Sequence, residues 1–146
     1  MMCSVTSANS IRILLVEDDD GDAMAVERTF RMPRIAQSIV RAGDGIEALQ
    51  MLKGTDGHPR LRKPYLLLVD LNLPRMNGIQ LITAIRQDHE LHDAVIFILT
   101  TSNRQQDKSA AYALNVAGYV LKEKAGEDLR SLFRLVDGYR SLVELP

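Results

Sequence analysis

The chain is short of the residues that staple or anchor a protein. It has one cysteine, Cys3, so a disulfide scaffold is excluded and a reducing compartment fits. Tryptophan is absent and aromatic residues make up only 5% of the chain. None interrupts the one basic run, Arg60-Leu61-Arg62-Lys63, which is too short to read as a nucleic-acid patch. Charge of one sign is lacking as well: 18 basic against 19 acidic residues leave a net charge of -1, which points to neither nucleic acid nor an anionic membrane. No apolar run approaches the ~20 residues that span a bilayer, and no charged-then-apolar signal segment opens the chain. Histidines number three; His89 and His92 are three apart, where the zinc-protease helix needs four. The expectation is a cytoplasmic protein without membrane or nucleic-acid partners.

What is present is a globular composition, 46% hydrophobic and 25% charged over 146 residues, enough for one domain with its own core. Four apolar strings each end on a charged or hydroxyl residue. They are 11–16 into Glu17-Asp18, 65–69 into Asp70, 95–99 into Thr100, and 119–121 into Lys122. Runs of this length bounded by turn residues read as strands buried on both faces of a parallel sheet. A weaker strand falls at Ser38-Ile39-Val40. Helical spacing separates the strands: Ala23, Val26 and Phe30; Ile46, Leu49 and Met51-Leu52; Ile79, Leu81-Ile82 and Ile85. A fourth helix is expected over Gln105 to Asn115 with Ala110, Ala113 and Leu114 on one side, and a last one from Glu127 through Val136. Five strand–helix repeats predict an α/β fold, a five-stranded parallel sheet with helices on both faces. Residues 1–10 are expected to be a flexible leader, 11–136 the domain, and 137–146 an extension whose Leu142, Val143 and Leu145 need a partner surface.

In such a sheet the ligand site lies beyond the carboxyl ends of the strands. Glu17, Asp18, Asp70, Thr100 and Lys122 therefore share one rim. Glu17, Asp18, Asp19, Asp20 and Asp22 place five carboxylates within six residues, a density that repels itself unless water or a cation intervenes. An EF-hand is rejected, because Ala23 and Thr29 stand where the loop glycine and bidentate glutamate belong. A Mg²⁺ site of one or two carboxylates plus waters fits better; an exposed loop in which Asp19 or Asp20 caps a helix is the plain alternative. Asp70 at a strand mouth is a candidate metal ligand, nucleophile, or both. Thr100 and Lys122 taken singly read as a backbone-bonded hydroxyl and a solvated charge. Together with the carboxylates they supply the positioning and charge neutralisation that phosphoryl transfer requires.

Four strings carry a family resemblance: Ile-Leu-Leu-Val-Glu-Asp-Asp from Ile13, Leu-Val-Asp-Leu-Asn-Leu-Pro-Arg-Met-Asn-Gly from Leu68, Phe-Ile-Leu-Thr-Thr-Ser from Phe97, and Gly-Tyr-Val-Leu-Lys from Gly118. In this order and spacing the chain resembles a response-regulator receiver domain of two-component signalling, from Ile11 to about Val136. The resemblance implies a flavodoxin-like sheet of strand order 2-1-3-4-5. It also implies that Asp70 accepts a phosphoryl group from a sensor histidine kinase and that Asp18, Glu17, Asp70 and the Asn72 carbonyl serve Mg²⁺. Lys122 and Thr100 would hold the phosphoryl oxygens, and Thr100 and Tyr119 would move as the switch. Asn72, Thr101 and Ser102 are the positions expected to tune dephosphorylation.

Two departures stand out: Glu123 follows Lys122 where the family usually has proline, and Thr101 replaces a commoner small residue. With the long loop 54–64 and the Val-Glu-Leu-Pro ending, the chain is similar to the stand-alone regulators that partner bacterial phytochromes. That similarity implies a phytochrome-type kinase and a homodimer through the last helix and tail. Three rival readings fit less well. An aspartate-nucleophile phosphohydrolase would want an acid/base Asp where Asn72 stands. A pseudo-receiver would not need the intact acidic pair, Asp70, Thr100 and Lys122. A flavin-binding protein would need a hydroxyl- and glycine-rich phosphate loop after the first strand.

Overall fold

The computed structural model describes residues 11–31 and 39–124, together with Ser131. The expected leader, the tail, Ser38 and the last helix apart from Ser131 lie outside the described residues. The elements are β1 (Arg12–Val16), α1 (Asp20–Arg31), β2 (Ile39–Ala42), α2 (Gly45–Lys53), β3 (Tyr65–Val69), α3 (Gly78–Gln87), β4 (Val95–Thr100), α4 (Gln105–Ala113) and β5 (Gly118–Leu121). A 3-10 turn at Lys122–Lys124 follows β5. All five strands are parallel in the order β2-β1-β3-β4-β5.

The uninterrupted apolar strings arise because alternate residues serve opposite faces. Leu14 and Val16 of β1 and Leu67 and Val69 of β3 join Ile96 and Ile98 in one core, which α2 and α3 cover with Ala48, Leu52, Leu81, Ile82 and Ile85. Ile13, Leu15, Leu66, Leu68 and Leu99 point the other way and pack on Ala23 and Val26 of α1. Every residue of β3 is buried, as its position at the centre of the sheet demands.

Local chemistry ends the helices where it should. Asp44 accepts the Glu47 N–H at 2.8 Å to open α2, and Gly54 closes it at φ 70°, a left-handed conformation that costs glycine little. Asn77 and Gln80 exchange bonds in a capping box at the start of α3. The fourth helix departs from its expected course: it stops at Ala113, Ala111 is its buried residue, and Ala113 is exposed. Leu114 and Asn115 donate to Ala111 and Tyr112 three residues back, and Asn115 turns left-handed at φ 61°. The alanines of this helix, Ala110, Ala111 and Ala113, carry too little apolar contrast to mark its inner face.

Arg86 near the end of α3 ties several loops together. Its guanidinium donates to the carbonyls of Leu114, His92, Ala94 and Asn115 at 2.8, 2.6, 2.8 and 3.1 Å. It thereby fixes the turns that lead into β4 and β5. The long loop before β3 is held by Leu61 N–H on the Met51 carbonyl and by an Arg60–Glu90 pair, each 2.9 Å. Among the described residues no helix is long and apolar enough to cross a membrane.

Candidate functional site

The site grows out of the ends of the strands. The ladder runs one residue beyond β1 and β3: Glu17 N–H donates to the Ala42 carbonyl and Asp70 N–H to the Val16 carbonyl, both at 3.0 Å. Glu17 and Asp70 are thus held beside one another, with exposures of 1% and 5%. Asp18 is exposed next to them, and one oxygen from each of Glu17, Asp18 and Asp70 lies within 4.8 Å of the others. Behind Asp70 the chain turns closely under itself. A Cβ on Gly78 would meet the Asp70 carbonyl oxygen at 2.5 Å and Leu71 Cα at 2.7 Å, so only glycine allows this return.

Register brings the other members to the same edge. Thr100 pairs with Leu121 across β4 and β5, which places Lys122 one residue beyond. The Lys122 ammonium stands 2.6 Å from Glu17 Oε1, 2.7 Å from Asp22 Oδ2 and 2.8 Å from Asp70 Oδ2. The contacts to Asp22 and Asp70 are hydrogen bonds. The contact to Glu17 is an ion pair without hydrogen-bond direction, and buried Oε1 therefore has no hydrogen-bond donor. Asp70 Oδ1 accepts the Asn72 N–H at 3.1 Å.

The electrostatics follow from this crowding. Burial pushes the Glu17 carboxyl up, helped by the charge of Asp70 and opposed by Lys122 and the Asp19 amide. Burial would lower the Lys122 ammonium, but its contacts with the Asp22, Asp70 and Glu17 carboxylates outweigh that and hold it above the ordinary lysine value. Three carboxylates, Glu17, Asp22 and Asp70, thus share one ammonium, and a fourth, Asp18, lies beside two of them. The surplus of oxygen donors, with an undonated buried oxygen among them, fits a small hard cation such as Mg²⁺.

Thr100 is fully buried, and its Oγ1 accepts the Ser102 N–H at 3.4 Å. Ser102 Oγ in turn donates to the Asp107 carboxylate, in the first turn of α4. Half-buried Tyr119 donates its hydroxyl to the Ser102 carbonyl at 2.8 Å, with Lys108 Nζ 6.0 Å from its ring centre. Burial pushes that phenol up. Glu17, Asp18, Asp70 and Lys122 meet at the rim, while Ser102 links Thr100 to Tyr119. Asn72 and Thr101 are exposed beside them.

Sequence reasoning assigned no role to three residues of this region. Asp22 was one more member of the acidic run, yet it holds Lys122. Asp44 and Arg75 form a second pair: Arg75, left-handed at φ 61°, donates Nε to Asp44 Oδ2 at 2.8 Å. This ties the loop after Asp70 to the start of α2. Asp44 before the apolar spacing of α2 was readable as a cap; nothing in the sequence marks Arg75 as its partner.

Comparison with known proteins agrees with this fold. The response regulator receiver domain family matches residues 13–134. Response regulator Rcp1 of Synechocystis sp. is 33% identical over 129 residues, covering 88% of this chain and 86% of that protein. A structure of Mn(2+)-bound Rcp1 superposes with a TM-score of 0.71 at 33% identity, over 94% of this chain and 99% of that one. The phosphorylated cyanobacterial phytochrome response regulator RcpA gives 0.77 at 29% identity, with 94% and 99% covered. The bacteriophytochrome response regulator AtBRR gives 0.75 at 27%, with 90% and 96% covered. These structures share the receiver fold of this chain, and the chain belongs to the response-regulator receiver family.

Proposed function

We propose that the protein takes a phosphoryl group onto Asp70 from a sensor histidine kinase and signals by the change of shape that follows. The observation that carries this reading is Asp70 itself: buried at a central strand end, 2.8 Å from Lys122, with Glu17 and Asp18 completing a trio of oxygens. An Asp70 carboxylate oxygen forms the new bond to phosphorus as the bond to the donor imidazole nitrogen breaks. Glu17, Asp18, Asp70 and the Asn72 carbonyl would hold Mg²⁺, which screens the phosphoryl oxygens when bound. Lys122 neutralises a further part of that charge.

Phosphorylation adds roughly 1.5 to 2 negative charges at the rim. Thr100 donates its hydroxyl to a phosphoryl oxygen and draws its loop inward. Tyr119 follows, because it is already bonded to that loop at Ser102. The readout is a population shift of α4, β5 and the last helix. Asn72, Thr101 and Ser102, at the edge of the site, set how readily water reaches the phosphoryl group, so the protein also dephosphorylates itself.

The kinase is of the phytochrome type. The support is the likeness to Rcp1, to RcpA and to AtBRR, the last two named as phytochrome response regulators. Such signalling takes place in the cytoplasm, and the apolar Leu142, Val143 and Leu145 of the tail contribute to a homodimer. Sedimentation of the chain shortened to end at Gly138 is expected to show monomer; an unchanged dimer defeats the tail's role. The class is tested by incubation with a small phosphodonor and Mg²⁺, comparing wild type with Asp70→Asn. Modification of the wild type alone is expected, and labelling that persists in Asp70→Asn would show that the acceptor lies elsewhere.

A further inference from the structure

We propose that Asp22 is a positioning residue: it receives the Lys122 ammonium when a divalent cation takes Glu17 and Asp70. The inference rests on the reading of the acidic trio as a cation site. Three carboxylates share Lys122, and two of them, Glu17 and Asp70, also belong to the trio whose oxygens lie within 4.8 Å of one another. The ammonium and a cation therefore compete for the same two carboxylates. Asp22 is outside the trio, so its oxygen is the one that a bound cation leaves to Lys122.

The geometry suits a handover. Lys122 is only 14% exposed at its side chain, so an ammonium stripped of every acceptor there would be costly. Asp22 already accepts a hydrogen bond from it at 2.7 Å, which needs no new contact to form. The Asp22 backbone is fixed in turn, its N–H donating to Asp19 Oδ1 at 2.8 Å in the first turn of α1. Glu17 Oε1 is buried and meets Lys122 as an ion pair without hydrogen-bond direction, so giving that contact up to a cation breaks no directed bond. Kept near the rim by Asp22, the ammonium remains available to a phosphoryl oxygen arriving at Asp70.

The consequence is that removing Asp22 weakens cation binding through Lys122, not merely by deleting a charge. Titration of the full chain with Mn²⁺, read by the electron paramagnetic resonance of the free ion, tests this without any phosphodonor. Asp22→Ala is expected to lower the affinity about tenfold, the scale of one charge-assisted hydrogen bond discounted for exposure. Asp22→Asn, which keeps an acceptor oxygen, is expected to stay near wild type. Lys122→Met removes the competitor and is expected to bind more tightly. Adding Asp22→Ala to it should then change little, because residues that act through one another are non-additive.

An equal loss on Asp22→Ala with and without Lys122, or an equal loss in Asp22→Asn and Asp22→Ala, would reduce Asp22 to a bystander charge and overturn the proposal. Circular dichroism reports whether each variant folds. Should the Lys122→Met chains unfold, the comparison of Asp22→Asn with Asp22→Ala decides alone. A wild type that binds no Mn²⁺ overturns the proposal together with the cation site, whereas labelling of Asp70→Asn would defeat only the choice of phosphoacceptor.

Discussion

Replacing Arg86 with methionine keeps the apolar stem of the side chain and deletes the guanidinium. Four carbonyls lose their donor: Leu114 and Ala94 in partly buried surroundings, His92 and Asn115 at the surface. A hydrogen bond from a charged group contributes roughly 1.5–3 kcal/mol when buried, and exposed ones far less. Counting the two partly buried bonds near the lower figure and the exposed pair at a few tenths each gives a loss of about 3 kcal/mol. Burial already pulls the guanidinium below its ordinary pKa, so part of the attraction is offset by desolvation and the upper end of the range is not expected. Such a loss is a large share of the roughly 5–15 kcal/mol that a domain has. Urea unfolding reads it directly. With a slope of about 1–3 kcal/mol per molar, the midpoint should fall by roughly 1–3 M. Arg86→Lys should recover little, since one ammonium cannot span carbonyls on separate turns. A midpoint within about 0.3 M of wild type would refute the clamp as a source of stability. The consequence reaches the site, because Leu114 and Asn115 lead into the strand that carries Tyr119 and is followed directly by Lys122.

That clamp also marks where the sequence stopped being legible. The sheet could be read because burial on both faces leaves β1, β3 and β4 as apolar strings, and because their carboxyl ends carry the chemistry. Glu17, Asp18, Asp70 and Lys122 were recognisable one by one as strand-end residues, and the parallel register makes them neighbours. Arg86 sits among helical residues with nothing to tell it from a solvated arginine, since its partners are backbone carbonyls and any residue supplies those. Arg75 is hidden for the same reason, its meaning resting on a left-handed turn and on Asp44, 31 positions away. Asp22 was visible as a charge and invisible as a contact, for Lys122 is 100 residues distant. The fourth helix misled because alanine contrasts too weakly with its neighbours to show which side is buried. What a side chain is made of could be read; which distant atom it holds required the fold.

Three further expectations concern the surroundings of Asp70. Gly78→Ala would drive a Cβ to 2.5 Å from the Asp70 carbonyl oxygen and 2.7 Å from Leu71 Cα. Both contacts are with backbone, so a loss of about 1–3 kcal/mol and slower labelling of Asp70 are expected; an unchanged melting temperature would refute the close return of the chain. Thr101→Ala, opening the edge of the site, should shorten the lifetime of the phosphorylated protein, and an unaltered lifetime would show that Thr101 does not restrict water. Asp44 supplies the test by pH. Burial would raise its carboxyl, but the Glu47 amide and the Arg75 guanidinium outweigh this and hold it below the ordinary aspartate value. A carboxyl whose pKa is lower in the folded chain contributes stability that is present above the unfolded value of about 3.9 and is lost as pH falls through the folded one. Asp44→Asn keeps the cap oxygen and removes the charge. Because Arg75 is 60% exposed, the loss at neutral pH should be no more than about 1 kcal/mol. The gap between wild type and variant should then close as the solution is acidified below the aspartate range, with wild type losing the advantage. A gap that stays constant through that range would mean that the charge on Asp44, and with it the tie between the Asp70 loop and the second helix, contributes nothing to stability.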